Sequence, residues 1–290
     1  MSKEEQEQYS FGPWLVVVDS CELIPPQYKS YEKLILESEF CIKVPVNKDR
    51  QDLKPGMLMY KELVLMNQHM ITILTYLEGR LVKEDIPISD IIYVTRGGEL
   101  LNNYIAFGTK YKEFKICYYS VSYDINSKVI NYIREHFMND QIHLVKETLT
   151  KNFANNDLFK FFQKSNQQSG EYRPIAYQRE CMVPYYANIG LGKLKNRFKQ
   201  LKIEEIMFLV SENELVVISG DLDKAQKSSV DYSYRHLYIR LSSIKRIRMI
   251  QDDNNENLDL LELGFEKNRL LIKVEASFNY KYLRQLARAY

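Results

Sequence analysis

The residues of this chain whose types could do chemistry are four histidines, four cysteines, a glycine-lysine turn, an acidic turn and two groups of cations. His69, His136, His143 and His236 could act as general bases or metal ligands if a second group stood at the right spacing. None does: no H-E-x-x-H, G-x-S-x-G or D-x-D motif accompanies them. They read as surface or packing residues, and His136, at the end of a predicted helix, suits the negative end of the helix dipole. Cys21, Cys41, Cys117 and Cys181 are scattered and form no C-x-x-C pair, so neither zinc binding nor thioredoxin-type exchange is expected. Gly190-Leu191-Gly192-Lys193 has one residue between its glycines where a phosphate loop has four. Leu194 stands where that loop needs Ser or Thr, so nucleotide binding is not expected either. Gln251–Asn257, QDDNNEN, lacks the spacing and closing glutamate of an EF-hand and reads as a solvated turn. No catalytic residue, metal or cofactor is expected, and the chain does not read as an enzyme.

The cations carry more information. Lys193, Lys195, Arg197, Lys199 and Lys202 fall within ten residues, with Leu194, Phe198 and Leu201 between them. At helical spacing the apolar trio shares one face, which gives a basic amphipathic helix over Gly190–Lys202. Such a helix suits an anionic membrane surface or another anionic partner. A second group, Arg240, Lys245, Arg246 and Arg248, falls near a strand whose alternation sets Lys245 apart from Arg246 and Arg248. Lys193, Lys195, Arg197, Lys199, Lys202, Arg246 and Arg248 are therefore the candidate contacts for an anionic partner. The formal net charge of the whole chain is only +2. That balance, and the lack of an aromatic-basic RNA signature, argue against nucleic acid.

These residues must be positioned by elements, and the elements are mostly strands. The 290 residues are 45% apolar and 27% charged, ordinary for a globular chain, with an unusual 22 tyrosines. Tyrosine, apolar in body and polar at its tip, suits half-buried strand faces and interaction surfaces. The polar, acidic start and the lack of any long apolar run point to a reducing cytoplasmic setting with free thiols. Phe11–Val18 reads as a strand, Tyr28–Glu37 as a short helix with Tyr31, Leu34 and Ile35 on one face, and Phe40–Val46 as a strand. Strands follow at Met57–Met66, Met70–Leu77, Ile86–Val94, Tyr104–Phe107 and Phe114–Tyr119. The period then changes to that of a helix bearing Ile125, Val129, Ile130, Ile133 and Phe137, with Ser122 as its N-cap. Ile142–Phe162 reads as a helical pair broken at Asn155-Asn156, and Ser165–Gly170 as a linker.

The second half repeats the plan. Strands are predicted at Ile175–Tyr185, Ile206–Val210, Glu214–Ser219, Tyr232–Leu241, Ile244–Ile250, Leu258–Phe265 and Leu270–Val274, with a closing helix at Ser277–Tyr290. Ile88-Ser89-Asp90-Ile91 maps onto Leu241-Ser242-Ser243-Ile244, and the same shift carries the five apolar helix positions onto Phe278, Tyr282, Leu283, Leu286 and Tyr290. Upstream, a shorter shift takes Ile71 and Ile73 to Leu215 and Val217, so the second copy carries a longer turn over Gly220–Arg235.

Met70–Ile91, with its charged turn and IPISDI step, and Tyr118–Phe137, YYSVSYDINSKVINYIREHF, resemble the bacterial pleckstrin-homology-like (PH-like) family. The likeness covers about residues 40–138 and, more weakly, 172–290. It implies a mainly β protein with some α: tandem PH-like barrels, each a bent antiparallel sheet capped by a C-terminal helix. The expected organisation is an N-terminal extension (1–40) whose strand and helix pack on domain 1, PH-like domain 1 (41–138), a helical connector and linker (139–170) and PH-like domain 2 (171–290). PH-like folds host lipid, peptide and protein binding, and the fold alone does not choose among these. The expected function is a non-enzymatic binding or scaffold protein whose partner is a protein, a peptide on a sheet edge beside the C-terminal helix, or a second copy of the chain. The alternative is peripheral association with the inner face of the membrane through the basic helix of the second domain.

Overall fold

The computed structural model describes residues 14–46, 48, 52, 54, 57–99, 102–119, 123–136, 149, 153–165, 171–184, 200–220, 233–252 and 255–287. It is mainly β, built from antiparallel sheets, and among the described residues none of these closes on itself and helices are few. By compactness the chain divides into two units. The first takes Met1–Ile91, Leu100–Ala106 and Phe114–His136; the second takes Ile92–Glu99, Phe107–Glu113 and Phe137–Tyr290.

In the first unit Val16–Val17 (β1) pairs with Phe40–Pro45 (β2). Tyr60–Asn67 (β3), Met70–Leu77 (β4) and Arg80–Pro87 (β5) follow, in the sheet order β1-β2-β3-β4-β5. The segment expected as one helix over Tyr28–Glu37 is a 3-10 turn, Pro26–Tyr31, running into a short α-helix, Glu32–Leu36 (α1). Tyr28 and Ile35 from this segment bury against Cys41, Leu63, Leu65 and Leu74 of the sheet, with Tyr31 and Leu34 packed at the margin. On the other face of β3 and β4, Val64, Met66, Ile71 and Ile73 are buried too. Strands covered on both sides explain why their sequence runs apolar rather than alternating.

Between β5 and Ile91–Glu99 (β6) the predicted continuous strand Ile86–Val94 is interrupted by a 3-10 turn, Ile88–Asp90. Pro87, at φ −58°, leads into the turn, and the Ile91 N–H closes it on the Ile88 carbonyl. Ile88 and Ile91 both bury, and a three-residue spacing on one face is what a 3-10 turn supplies. Asn102–Thr109 (β7), Glu113–Tyr119 (β8) and Tyr123–Glu135 (α2) come next. Val129, Ile130 and Ile133 of α2 are buried as the helical period required, while Ser122 and Phe137 lie outside the described residues. His136 follows the helix, its Nδ1 2.9 Å from the Tyr132 carbonyl and its Nε2 2.8 Å from the Gln68 carbonyl. It ties the end of α2 to the turn between β3 and β4.

The second unit carries Asp157–Ser165 (α3), Arg173–Gln178 (β9), Cys181–Pro184 (β10), Gln200–Ile203 (β11), Ile206–Val210 (β12), Glu214–Ser219 (β13) and Ser233–Arg240 (β14). A 3-10 turn at Leu241–Ser243 leads to Arg246–Gln251 (β15), Leu258–Gly264 (β16), Arg269–Glu275 (β17) and Leu283–Leu286 (α4). α3 starts where the sequence broke the predicted helical pair: the Asn156 side chain accepts the Phe159 N–H at 2.9 Å as an N-cap. The stretch predicted as one strand over Ile175–Tyr185 is two strands in different sheets, because β10 leaves β9 to pair with β11. The helix expected over Ser277–Tyr290 is a single turn in the described part. Asn279 accepts the Lys281 N–H at 3.1 Å, a local bond that competes with helix formation. Phe278, Leu283 and Leu286 bury all the same.

Along β12 and β13 every residue is buried. Phe208, Val210, Leu215 and Val217 face a core shared with Leu261, Leu263, Phe278 and Leu283, and α3 packs against β13. The order of elements recurs. β2 to β5, a 3-10 turn, β6 to β8 and α2 are matched by β9 with β12 to β14, a 3-10 turn, β15 to β17 and α4, with β10 and β11 inserted. The two turns, Ile88–Asp90 and Leu241–Ser243, stand 153 residues apart, and Ile91 and Ile244 leave them at nearly equal angles (φ −76° and −77°).

The turn between β4 and β5 places Glu78 at φ 47° and Gly79 at φ 81°. Two successive left-handed residues define the primed hairpin turn, for which Asn-Gly is the preferred pair. Gly79→Ala is expected to lower stability by about 1 kcal/mol, and Glu78→Asn to raise it by about 0.5 kcal/mol. Urea denaturation of both variants checks this, and equal midpoints for the two would contradict it.

Candidate functional site

Three ion pairs converge on one carboxylate on the outer face of β15, β16 and β17. Alternation divides these strands: Ile247, Leu261, Leu263, Ile272 and Val274 point into the core, and their neighbours point out. The register builds the outer face row by row, with Arg246 opposite Gly264 and Gly264 opposite Arg269. The next row is Arg248, Glu262 and Leu271, followed by Ile250, Leu260 and Lys273. Glu262 is the carboxylate at the centre, and it is 0% exposed. Three arginines converge on it. Arg246 donates its Nε–H to one carboxylate oxygen, while Arg248 and Arg269 donate to the other at 3.2 and 3.5 Å. Each of the three arginine side chains remains about 55% exposed.

Gly264 makes room for this arrangement. A Cβ there would stand 2.4 Å from Cγ of Arg246, so the arginine lies flat across the glycine to reach Glu262. Burial alone would raise the Glu262 carboxyl, but the hydrogen bonds and charges of Arg246 and Arg248 outweigh it and hold the carboxyl below its usual range.

β15 is also an edge. In the order β15-β16-β17 it pairs with β16 alone among the described residues. α4 packs against it, and a shallow open pocket beside the helix is lined by Phe278, Asn279, Tyr280, Lys281, Arg284 and Gln285. In the first repeat the strand in the corresponding place is β6. That edge is occupied: β14 pairs with it antiparallel over seven residue pairs, from Ser233 opposite Glu99 to Ile239 opposite Tyr93. Midway along this ladder Arg96 donates to Nδ1 of His236 at 3.1 Å, both side chains buried, with the Phe162 ring edge-on to the imidazole. His236 is thus buried in the ladder.

Of the candidate anion contacts, Arg246 and Arg248 meet on Glu262. Lys245 lies apart from them, with its amine on the Ser242 carbonyl at 3.2 Å. Lys193, Lys195, Arg197 and Lys199 lie outside the described residues. Lys202 corrects the predicted basic helix at its C-terminal end. It belongs to strand β11, opposite Met182, and its amine sits 3.1 Å from Glu180 and 3.6 Å from Glu204. Leu201, read at helical spacing from the sequence, instead packs with Val183, Ile203 and Leu258, as strand pairing allows. The acidic turn is also not wholly solvated, because Asn255 is buried and donates to the Pro184 carbonyl at 3.0 Å.

Arg269, Gly264 and Glu262 were not singled out from the sequence. The signal was present in the β16 sequence LDLLELG, where one glutamate interrupts an apolar run at an outward position opposite Arg248.

Among the described residues no cluster of three or more His, Cys, Asp or Glu side chains could hold a metal. The Cys41 thiol is pushed up to about 12 by burial, which keeps it protonated at neutral pH. No helix among the described residues is long and apolar enough to cross a membrane. No protein-family model matches the chain, and no curated protein is significantly similar to it.

Because Glu262 is held below its ordinary value in the folded chain, it contributes stability above about pH 4.3, the unfolded value, and loses it as the pH falls through the folded value. At pH 7 Glu262→Gln should cost about 1–2 kcal/mol, reduced by solvent around the half-exposed arginines. The gap between wild type and variant should narrow below about pH 4. Denaturant midpoints at pH 7 and pH 3 measure it; a gap independent of pH would show that the carboxylate does not organise the face.

Proposed function

We propose that this chain is a non-enzymatic binding protein made of two PH-like modules, and that its partner is a protein segment received as an extended strand on the free edge of β15, beside α4. One observation carries the reading. The corresponding strand of the first repeat, β6, already holds an antiparallel strand along its edge, whereas β15 pairs only with β16 among the described residues. A strand edge presents unpaired N–H and C=O groups that a peptide can complete, with affinity from the main chain and specificity from side-chain pockets. The pocket at Phe278–Gln285 is lined in part by Arg284 and Gln285 of the helix that packs against β15. The recurring order of four strands, a 3-10 turn, three strands and a helix agrees with the PH-like resemblance of the sequence.

A second copy of the chain is a poor occupant of this edge. Two β15 strands paired antiparallel with their outer faces on one side would bring the Arg246 and Arg248 side chains of both copies together, and like charges across a ladder are unfavourable. An acidic strand would be attracted instead. The membrane reading through a basic helix at Gly190–Lys202 is weakened at one end, since Lys202 is in a strand and beside two carboxylates.

A photo-crosslinking amino acid at Gln251, on β15, should capture a defined protein in cells, and one at Lys273, on β17, should not. Adding the captured protein should slow amide exchange along β15. Equal capture from both positions, or capture that leaves β15 exchange unchanged, would sink the strand-docking reading.

A further inference from the structure

We propose that Arg246, Arg248 and Arg269, held together on Glu262, form a binding site for a phosphate group in its dianionic form. The proposal concerns the outer face of the β15–β17 sheet rather than its edge, and it stands whether or not a strand docks on β15.

Charge comes first. Three guanidiniums face one carboxylate, so two positive charges are left over in the cluster among the described residues. Lys273 adds another cation to the same face, two rows from Arg269. A phosphate monoester, carrying about −1.5 to −2 at neutral pH, matches that excess, whereas a single carboxylate does not.

The donors that remain point to the same ligand. An arginine has five N–H groups in a planar fork, and each of these three gives one to Glu262. The rest are available to oxygens above the sheet, and forked N–H pairs match the oxygens of phosphate. A fully covered carboxylate beneath three half-exposed guanidiniums is therefore a floor that orders the donors without using them up. Left alone, three like charges on adjacent strands would spread apart. Glu262 holds them near one point, so less of the side-chain entropy that binding would otherwise cost remains to be lost. A purely structural role accounts for this less well. One arginine would neutralise Glu262, and the further two, each half exposed, add little more to stability.

Gly264 offers a way to disturb the pose without changing any charge. Its φ is not in the left-handed region, so alanine is conformationally admissible there, but the new Cβ would lift Arg246 off its track to Glu262.

The test uses the full chain and follows thermal stability and calorimetric binding with inorganic phosphate, against chloride at matched ionic strength. A second arm uses phosphatidylcholine vesicles containing phosphatidic acid, which presents a phosphate monoester, or phosphatidylglycerol, which does not. The wild type should show saturable binding to phosphate that strengthens as the pH rises from 6 to 8 and the dianion forms. Gly264→Ala should bind about tenfold more weakly, the value of one charge-assisted hydrogen bond. Arg248→Gln with Arg269→Gln should not bind measurably. Preference for phosphatidic acid over phosphatidylglycerol would identify a lipid headgroup as the source, and binding in the first arm alone would identify a soluble phosphate compound. The proposal is overturned if the wild type responds to phosphate only as it does to chloride and ignores phosphatidic acid, or if Gly264→Ala, with its charge intact, binds as the wild type does. Should the double arginine variant fail to fold, Arg269→Lys replaces it. That variant keeps the charge but loses the fork, and undiminished phosphate binding by it would count equally against the site.

Discussion

A β-strand has two hydrogen-bonding edges, and what takes up the second edge of each strand governs this structure. β12 and β13 have both edges paired and both faces covered, and every residue along them is buried. β6 gains its partner from far along the sequence: β14 closes its edge, with the buried Arg96 and His236 directly opposite each other. That pairing requires a polar solution in an apolar setting. Arg96 is always charged, so the nitrogen of His236 that faces it must accept, and the ring proton must sit on the other nitrogen. The ladder thereby fixes a histidine tautomer as well as a register. β15 carries the same kind of edge without such a strand among the described residues, and two of its three outward side chains, Arg246 and Arg248, are cations. Charges on an edge are a common guard against unwanted pairing, and they also select which strands can approach.

The charges on β15 make sense only together with the strand beside them. Glu262 alone on that face would be an ordinary exposed carboxylate, and the three arginines alone would repel one another. Combined, they give a carboxylate with no exposed surface and three guanidiniums whose outer halves remain in water. The geometry depends on a residue with no side chain at all, since Gly264 is the ground over which Arg246 travels. Arg246, Gly264 and Arg269 share one row across the sheet, so a single backbone register sets both the clearance and the donors on either side of it.

Much of this was legible in the sequence where one period decided the outcome. β4 and β13 have the bounds their apolar residues predicted, and the α2 face bearing Val129, Ile130 and Ile133 is buried. The recurrence of Ile88-Ser89-Asp90-Ile91 as Leu241-Ser242-Ser243-Ile244 was visible, but its meaning was not. The first copy reads as part of one strand, Ile86–Val94, and the second as a gap between strands ending at Leu241 and starting at Ile244; in the structure both are 3-10 turns whose small polar residues stand between two buried isoleucines or a leucine and an isoleucine. Spacings of two and three cannot be told apart over four residues. Leu201 and Lys202, read as the end of a helix, failed for the same reason in reverse. Two apolar residues flanking a lysine satisfy a strand as readily as the end of an amphipathic helix, and pairing with β10 decided it. The arginine site was half visible: Arg246 and Arg248 stand two apart, but Glu262 and Arg269 join them only through cross-strand register, which no local window contains.

The two repeats therefore differ in what they do with the same position. After the 3-10 turn the first repeat sends β6, whose edge is taken up by β14 of the same chain, and the residue at the centre of that ladder, Arg96, is buried. The second sends β15, where the arginines at 246 and 248 stay half in water and answer to a carboxylate on the next strand. Buried arginine in a ladder stabilises one arrangement of one chain, because removing its partner would strand a charge away from water. Half-exposed arginine on a fixed carboxylate does the opposite: its geometry is set in advance, but its remaining N–H groups exchange freely between water and any anion that arrives. The strand whose edge is closed within the chain in one repeat is, in the other, the strand whose arginines stay half in water.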